Sequence, residues 1–207
     1  METIIAVIVG WLFGLLGQRP ITFILNEIKK PSLKESIFVE LNVLKCSLTF
    51  TSYILYSHIG KIDKEYLLWA QPIIRTYAGF HSNVYNDNAI DKLLELNDEE
   101  FKVAVELLKQ PDKGLSLKKF NLPFIDSKYS EIYLFDRKFQ EGIWEIREGI
   151  RRINEQIDMA WFYFSKTYDN LSDENARRVH NNVISEYTNV GNMAVDISKN
   201  IITFIDR

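Results

Sequence analysis

The chain has 207 residues and carries 25 Lys and Arg against 28 Asp and Glu, a net charge of −3, with 46% apolar and 26% charged side chains. That balance is too apolar for a disordered chain and offers no overall positive field for sequence-independent binding of DNA or RNA. A single cysteine, Cys46, excludes an intramolecular disulfide framework and a multi-cysteine zinc site, and points to a reducing compartment.

Nine glycines and five prolines are few, as expected of a mostly helical chain, and three of those nine glycines fall within residues 10–17. They belong to a run, residues 4–17, that reads IIAVIVGWLFGLLG without a charged or strongly polar side chain. At about 1.5 Å per residue this run spans roughly 21 Å, and continuation through Arg19 and Pro20 to Leu25 gives about 33 Å, enough for a hydrocarbon core of about 30 Å. The reading is a spanning helix at about 3–19 and an amphipathic helix at about 20–30, with Ile21, Ile24, Leu25 and Ile28 at helical spacing. A secretory signal peptide fits less well, since Met1, Glu2 and Thr3 supply no basic start and no small-x-small cleavage site follows.

Arg19, Lys29, Lys30 and Lys34 flank this segment on its carboxyl side, against only the terminal amine and Glu2 on the other. Positive-inside bias then predicts an outside amino terminus and a cytoplasmic remainder, with these four cations at the membrane interface. Ala6, Gly10 and Gly14 recur every four residues, with Gly17 close behind. Close backbone approach at small residues is what packs helices in hydrocarbon, so these positions are expected to form an oligomer contact between copies.

From residue 31 onward the pattern predicts a helical bundle. Ser32 and Glu35 have the spacing of a capping box, and Ile37, Leu41, Leu44, Leu48, Leu55 and Ile59 line one face of a helix ending at Gly60. Lys45 and His58 argue against a second spanning segment. Asp63 can cap a helix through Leu67, Leu68, Ile73 and Tyr77 that is kinked or interrupted at Pro72. Two short helices are expected at 88–96 and 97–110, the second with a capping box from Asn97 and Glu100. Residues 111–135 lack clean periodicity and read as a crossover strapped to the bundle by Leu117, Phe120, Leu122, Phe124 and Ile125.

After Asp136, a predicted N-cap, Phe139, Ile143, Ile146, Ile150, Ile153, Ile157, Ala160 and Phe164 alternate spacings of four and three. A turn at 169–172 follows, and Ala176, His180, Val183, Tyr187, Val190, Ala194, Ile197, Ile201 and Phe204 repeat the alternation. Two long helices joined by so short a turn are predicted to form an antiparallel αα-hairpin. The expected fold class is therefore all-α: a membrane anchor at 1–30 and a cytoplasmic helical bundle at 31–207.

Chemistry is sparse. His58, His81 and His180 fit no metal spacing, and no nucleophile elbow or phosphate-cradling glycine loop occurs. Arg75 and His81 stand in an Arg-x5-His spacing that resembles the helical HEPN ribonucleases. The resemblance covers seven residues, and it implies that the arginine stabilises charge on an RNA phosphodiester while the histidine handles the proton. Thr76 departs from it, since a polar amide or acid usually follows the arginine. Asn83, Asn86, Asp87 and Asn88 read as turn residues, and Arg147, Arg151 and Arg152 with Glu141, Glu145 and Glu148 as a solvated, ion-paired helix face.

These features predict a non-enzymatic, single-pass, self-associating scaffold or sensor without a cofactor or metal. Its expected partners are the lipid bilayer, further copies of itself and a cytoplasmic protein, with no DNA. The alternatives are a pore-forming assembly through the glycine-rich helix and, more remotely, the ribonuclease.

Overall fold

In the computed structural model the backbone is described for residues 2–78, 88–110 and 113–206, and side chains for 26–76, 89–110 and 113–206. The protein is all-helical, 83% helix, with no strand among the described residues. The first helix, α1 (Glu2–Ile59), is 58 residues long and passes through both Pro20 and Pro31. The break expected at Lys30 and Pro31 is therefore absent. Ser32, expected to cap a new helix, donates its hydroxyl back to the Lys29 carbonyl at 3.2 Å, and Ser36 does the same to Ser32 at 3.0 Å. Such back-bonding belongs to serines within a helix rather than at its start. Beside Pro31, Lys30 pairs with Glu27 one turn earlier. The helix stops at Gly60, whose φ of 70° suits a residue without a Cβ.

The next three helices are α2 (Lys64–Ala78), α3 (Asn88–Glu95) and α4 (Asp98–Leu108). Asp63 caps α2 by accepting from the Tyr66 amide at 2.7 Å, and Pro72 sits inside α2 without ending it. Asn97 and Glu100 form the reciprocal capping box of α4. Ile62, Leu67, Ala70, Ile74, Ile90, Leu93, Phe101 and Val105 bury into one core, against which Phe50 and Tyr53 of α1 pack.

Residues 113–135 run as a strap containing the short helix α5 (Pro123–Ser127) and a 3-10 segment, Tyr129–Leu134. Two long helices follow, α6 (Arg137–Lys166) and α7 (Asp173–Ile205), with Asp136 capping α6 through the Phe139 amide at 2.9 Å. Their apolar series, from Ile143 to Ala160 and from Val183 to Phe204, bury together with Leu33, Ile37, Leu41, Leu44, Leu48 and Leu55 of α1 in a second, larger core, whereas Ala176, at the predicted start of the α7 series, is exposed. Gly142 of α6 lies under the Phe204 ring of α7, and Gly149 under Ile197. Numbers thus rise along α6 as they fall along α7. A Cβ at Gly191 would stand 2.6 Å from Cε1 of Tyr56. These glycines mark close approach between helices.

Hydroxyls fasten the helices where apolar contact alone would leave register open. Ser198 of α7 donates to the Lys45 carbonyl and receives the Thr49 hydroxyl, both at 3.3 Å. Ser52 donates to the Thr49 carbonyl at 2.8 Å and meets the Tyr66 hydroxyl of α2 at 2.7 Å. Thr49, Ser52 and Ser198 are fully buried, and each has a partner, as buried polar groups require.

Candidate functional site

The amino-terminal helix is long and apolar enough to cross a membrane, judged by length and composition; within Asn26–Ile59 its mean hydropathy reaches 1.2. The second half of α1 is also a wall of the larger core, with Ile37, Leu41, Leu48 and Leu55 fully buried. Ala6, Gly10, Gly14, Gly17 and Arg19 lie on the α1 backbone, and their side chains are outside the described residues.

Lys29, Lys30 and Lys34 follow on the same helix. Lys30 is engaged by Glu27, and the Lys34 ammonium lies 5.1 Å from the centre of the Phe38 ring. Glu131, in the 3-10 segment, has its carboxyl held below the usual range, first by the hydrogen bond from Lys128 and then by the charges of Lys128 and Lys29. Among the described residues, neither Lys29 nor Lys34 has an ion-pair partner within 4.0 Å, so both remain available to an external anion.

Further along, the strap is held to the long helices by side chains that bond its backbone. The Glu40 carboxylate of α1 accepts the amides of Phe124 and Ile125, both at 2.8 Å, at the start of α5. Asn154 of α6 accepts the Phe120 amide at 2.9 Å and donates to the Phe120 carbonyl at 2.8 Å, as a neighbouring strand would. The Trp161 indole donates to the Leu117 carbonyl at 3.1 Å, and the Tyr187 hydroxyl accepts the Leu115 amide at 2.9 Å. Between this strap and α1 runs a groove of about 580 Å³, floored by Val43, Ser47 and Ile54 and walled by Leu117 and Phe120.

The groups considered for chemistry are dispersed. The Arg75 guanidinium is held by both oxygens of Asp91, at 2.7 and 2.8 Å, and Gln71 donates to the same carboxylate. These contacts hold the Asp91 carboxyl below the usual range, with the Arg75 hydrogen bond the largest cause. His81 lies outside the described residues. Cys46 is buried, which pushes its thiol above the usual range and away from the reactive thiolate. His180 lines a small pocket with Phe164 and Val183. No group of three or more His, Cys, Asp or Glu able to hold a metal occurs among the described residues.

Sequence reasoning passed over Glu40, and it weighed His58 only as a polar break and a metal ligand. His58 is 6% exposed, its Nε2 has no hydrogen-bond partner, and its ring meets Tyr187 edge-on at 5.8 Å. Burial lowers its pKa below the ordinary value, against a backbone hydrogen bond at Lys113 that favours the proton. For Glu40 a signal existed: it is the one acid between Ser36 and Ile59 of α1.

No protein-family model, curated protein or solved structure matches the chain.

Proposed function

We propose that the chain is a single-pass membrane protein, amino terminus outside, that self-associates through its anchor and presents a cytoplasmic helical bundle to a protein partner, as scaffold or sensor. The observation that carries this reading is α1 itself. One helix of 58 residues joins the charge-free run at 4–17 to the centre of the larger core. At about 1.5 Å per residue it is roughly 87 Å long, so the anchor and the bundle share one structural member. An event that moves or pairs the anchors is thereby transmitted to the bundle without a linker, which a scaffold or sensor needs and a soluble enzyme does not.

Further support comes from Lys29 and Lys34, cations without an ion-pair partner within 4.0 Å among the described residues, at the place where an inner-leaflet surface would meet the helix. In this account α6 and α7 form the long antiparallel hairpin of the bundle, and Ala6, Gly10, Gly14 and Gly17 form the contact between anchors. Alkaline extraction of cell membranes tests the anchoring. The chain is expected to stay in the membrane pellet, and release into the supernatant would overturn the proposal. Leakage of dye from liposomes carrying the chain would favour a pore-forming assembly instead.

A further inference from the structure

We infer that the groove between the strap and α1 is a docking site for an extended peptide segment of the cytoplasmic partner, apolar at alternate positions and acidic at an end, which pairs its backbone with the free edge of the strap. The inference rests on the proposed reading of the bundle as a partner-binding unit and gives that partner its chemistry.

Beside the groove the strap runs extended, with one edge in use. Asn154 and Trp161 of α6 hold Phe120 and Leu117. The two helix positions are seven residues apart, about 10.5 Å, and the two strap positions are three residues apart. The strap therefore advances about 3.5 Å per residue, close to the rise of a β-strand. In such a chain the amide and carbonyl of one residue point to one side and those of the next residue to the other. Phe120 gives both of its groups to Asn154. Lys119 and Asn121, on either side of it, turn theirs away from α6, toward α1 and the groove. Among the described residues nothing bonds the amide or the carbonyl of either one. An extended edge of this kind accepts a further strand.

The groove has a floor for the side chains of that strand. Val43, Leu44, Ile54, Leu117 and Pro123 line its volume of about 580 Å³, and Val43 and Ile54 are 49% and 36% exposed there. A peptide paired with the strap directs every second side chain onto α1, so apolar residues two apart cover what α1 leaves bare. A helix laid in the groove would leave the edge of the strap unpaired. Bilayer lipid is too distant, since Val43 lies eighteen residues beyond Leu25, about 27 Å along α1.

Charge specifies the end of the peptide. The lining holds three charged residues, Glu40, Lys118 and Lys119. The Glu40 carboxylate is taken by the amides of Phe124 and Ile125, and Lys119 is paired with Asp158 at 2.7 Å. Lys118 has no ion-pair partner within 4.0 Å among the described residues, and an acidic residue of the peptide supplies one.

Seven-residue peptides displayed on phage are the probe, selected against the full-length chain in detergent. Selected peptides are expected to carry apolar residues two apart, with Asp or Glu at an end. A synthetic copy of the strongest, followed by fluorescence anisotropy, should lose about tenfold in affinity for each amide methylated on its strap-facing edge and little on the other. Val43→Asp and Ile54→Asp should each weaken binding at least about tenfold, and Lys118→Glu by about two- to fivefold, while Leu107→Asp on the exposed side of α4 leaves it unchanged. Circular dichroism checks that each variant keeps its helix content. Apolar residues three and four apart, basic ends, indifference to methylation, or binding that survives Val43→Asp and Ile54→Asp would overturn the inference, as would a selection that enriches no sequence. A fall in the mass of the detergent-solubilised particle with Ile54→Asp would assign the groove to a second copy and overturn it as well. Release of the chain from membranes by alkali would overturn the anchor and leave this peptide binding intact, so the two failures are told apart.

Discussion

Replacing Glu40 with alanine should release the strap while leaving the helices folded. The Glu40 carboxylate accepts two amides at 2.8 Å, those of Phe124 and Ile125, at the amino end of α5. Hydrogen bonds to a charged acceptor contribute about 1.5–3 kcal/mol each, and the favourable end of a helix adds about 0.3–1 kcal/mol. Glu40 is half-buried, and the freed amides can turn to water once the strap lifts, so about 2–4 kcal/mol of the total should be felt. At 1.4 kcal/mol per decade this raises opening of the strap by roughly 30- to 700-fold. Hydrogen exchange at Phe124 and Ile125 measures that opening, and the amides of Ile153 and Ile157 in α6 serve as the internal control. Cleavage by trypsin after Lys118 and Lys119 should accelerate in parallel. Unchanged exchange at Phe124 and Ile125 in Glu40→Ala would refute the claim that this carboxylate clamps the strap.

Other perturbations have equally defined outcomes. Ile153 is fully buried, and Ile153→Ala should lower stability by about 2–5 kcal/mol in a urea titration followed by tryptophan fluorescence; a loss under about 1 kcal/mol would contradict its place in the core. Gly191→Ala gains about 1 kcal/mol of helix propensity but drives a Cβ to 2.6 Å from the Tyr56 ring, so a net loss of about 1–2 kcal/mol is expected and a gain would show that the ring moves freely. His58 is kept neutral by burial, its pKa below the ordinary 6.5, so the unfolded chain binds the proton more readily. Stability due to this group is complete above about pH 6.5 and falls as pH drops below the ordinary histidine value; His58→Leu should flatten that slope, and an unchanged slope would exclude His58 as its source. In the anchor, Gly10→Leu with Gly14→Leu should abolish crosslinking between copies, and undiminished crosslinking would remove the small-residue contact.

Much of the helix content was legible because burial on one side imprints a period on the sequence. The series Ile143, Ile146, Ile150, Ile153 and Ile157 announces its buried face, and all five are 6% exposed or less. Caps at Asp63, Asn97 and Asp136 were legible for a local reason, since a capping side chain bonds an amide within three residues of itself. Contacts distant in sequence left no such trace. Glu40 reaches Phe124 and Ile125 more than eighty residues away, and only its isolation among apolar neighbours hints at a task. Gly142, Gly149 and Gly191 are equally silent, because sequence shows the missing Cβ but not the Phe204, Ile197 or Tyr56 side chain filling its place. Pro31 misled in the opposite direction. Its lost amide argues for a boundary, yet α1 continues through it with Ser32 bonded back to Lys29.

The candidate contact at Ala6, Gly10 and Gly14 was legible as spacing alone. One measurement tests the central claim most directly: alkaline extraction of membranes containing the full-length chain, followed by the mass of the particle that detergent then releases from the pellet. An anchored, self-associating protein stays with the membrane under alkali and emerges in detergent at a multiple of 24.3 kDa once bound detergent is subtracted. A chain that alkali releases as a 24.3 kDa monomer would contradict both the anchor and the contact built on it.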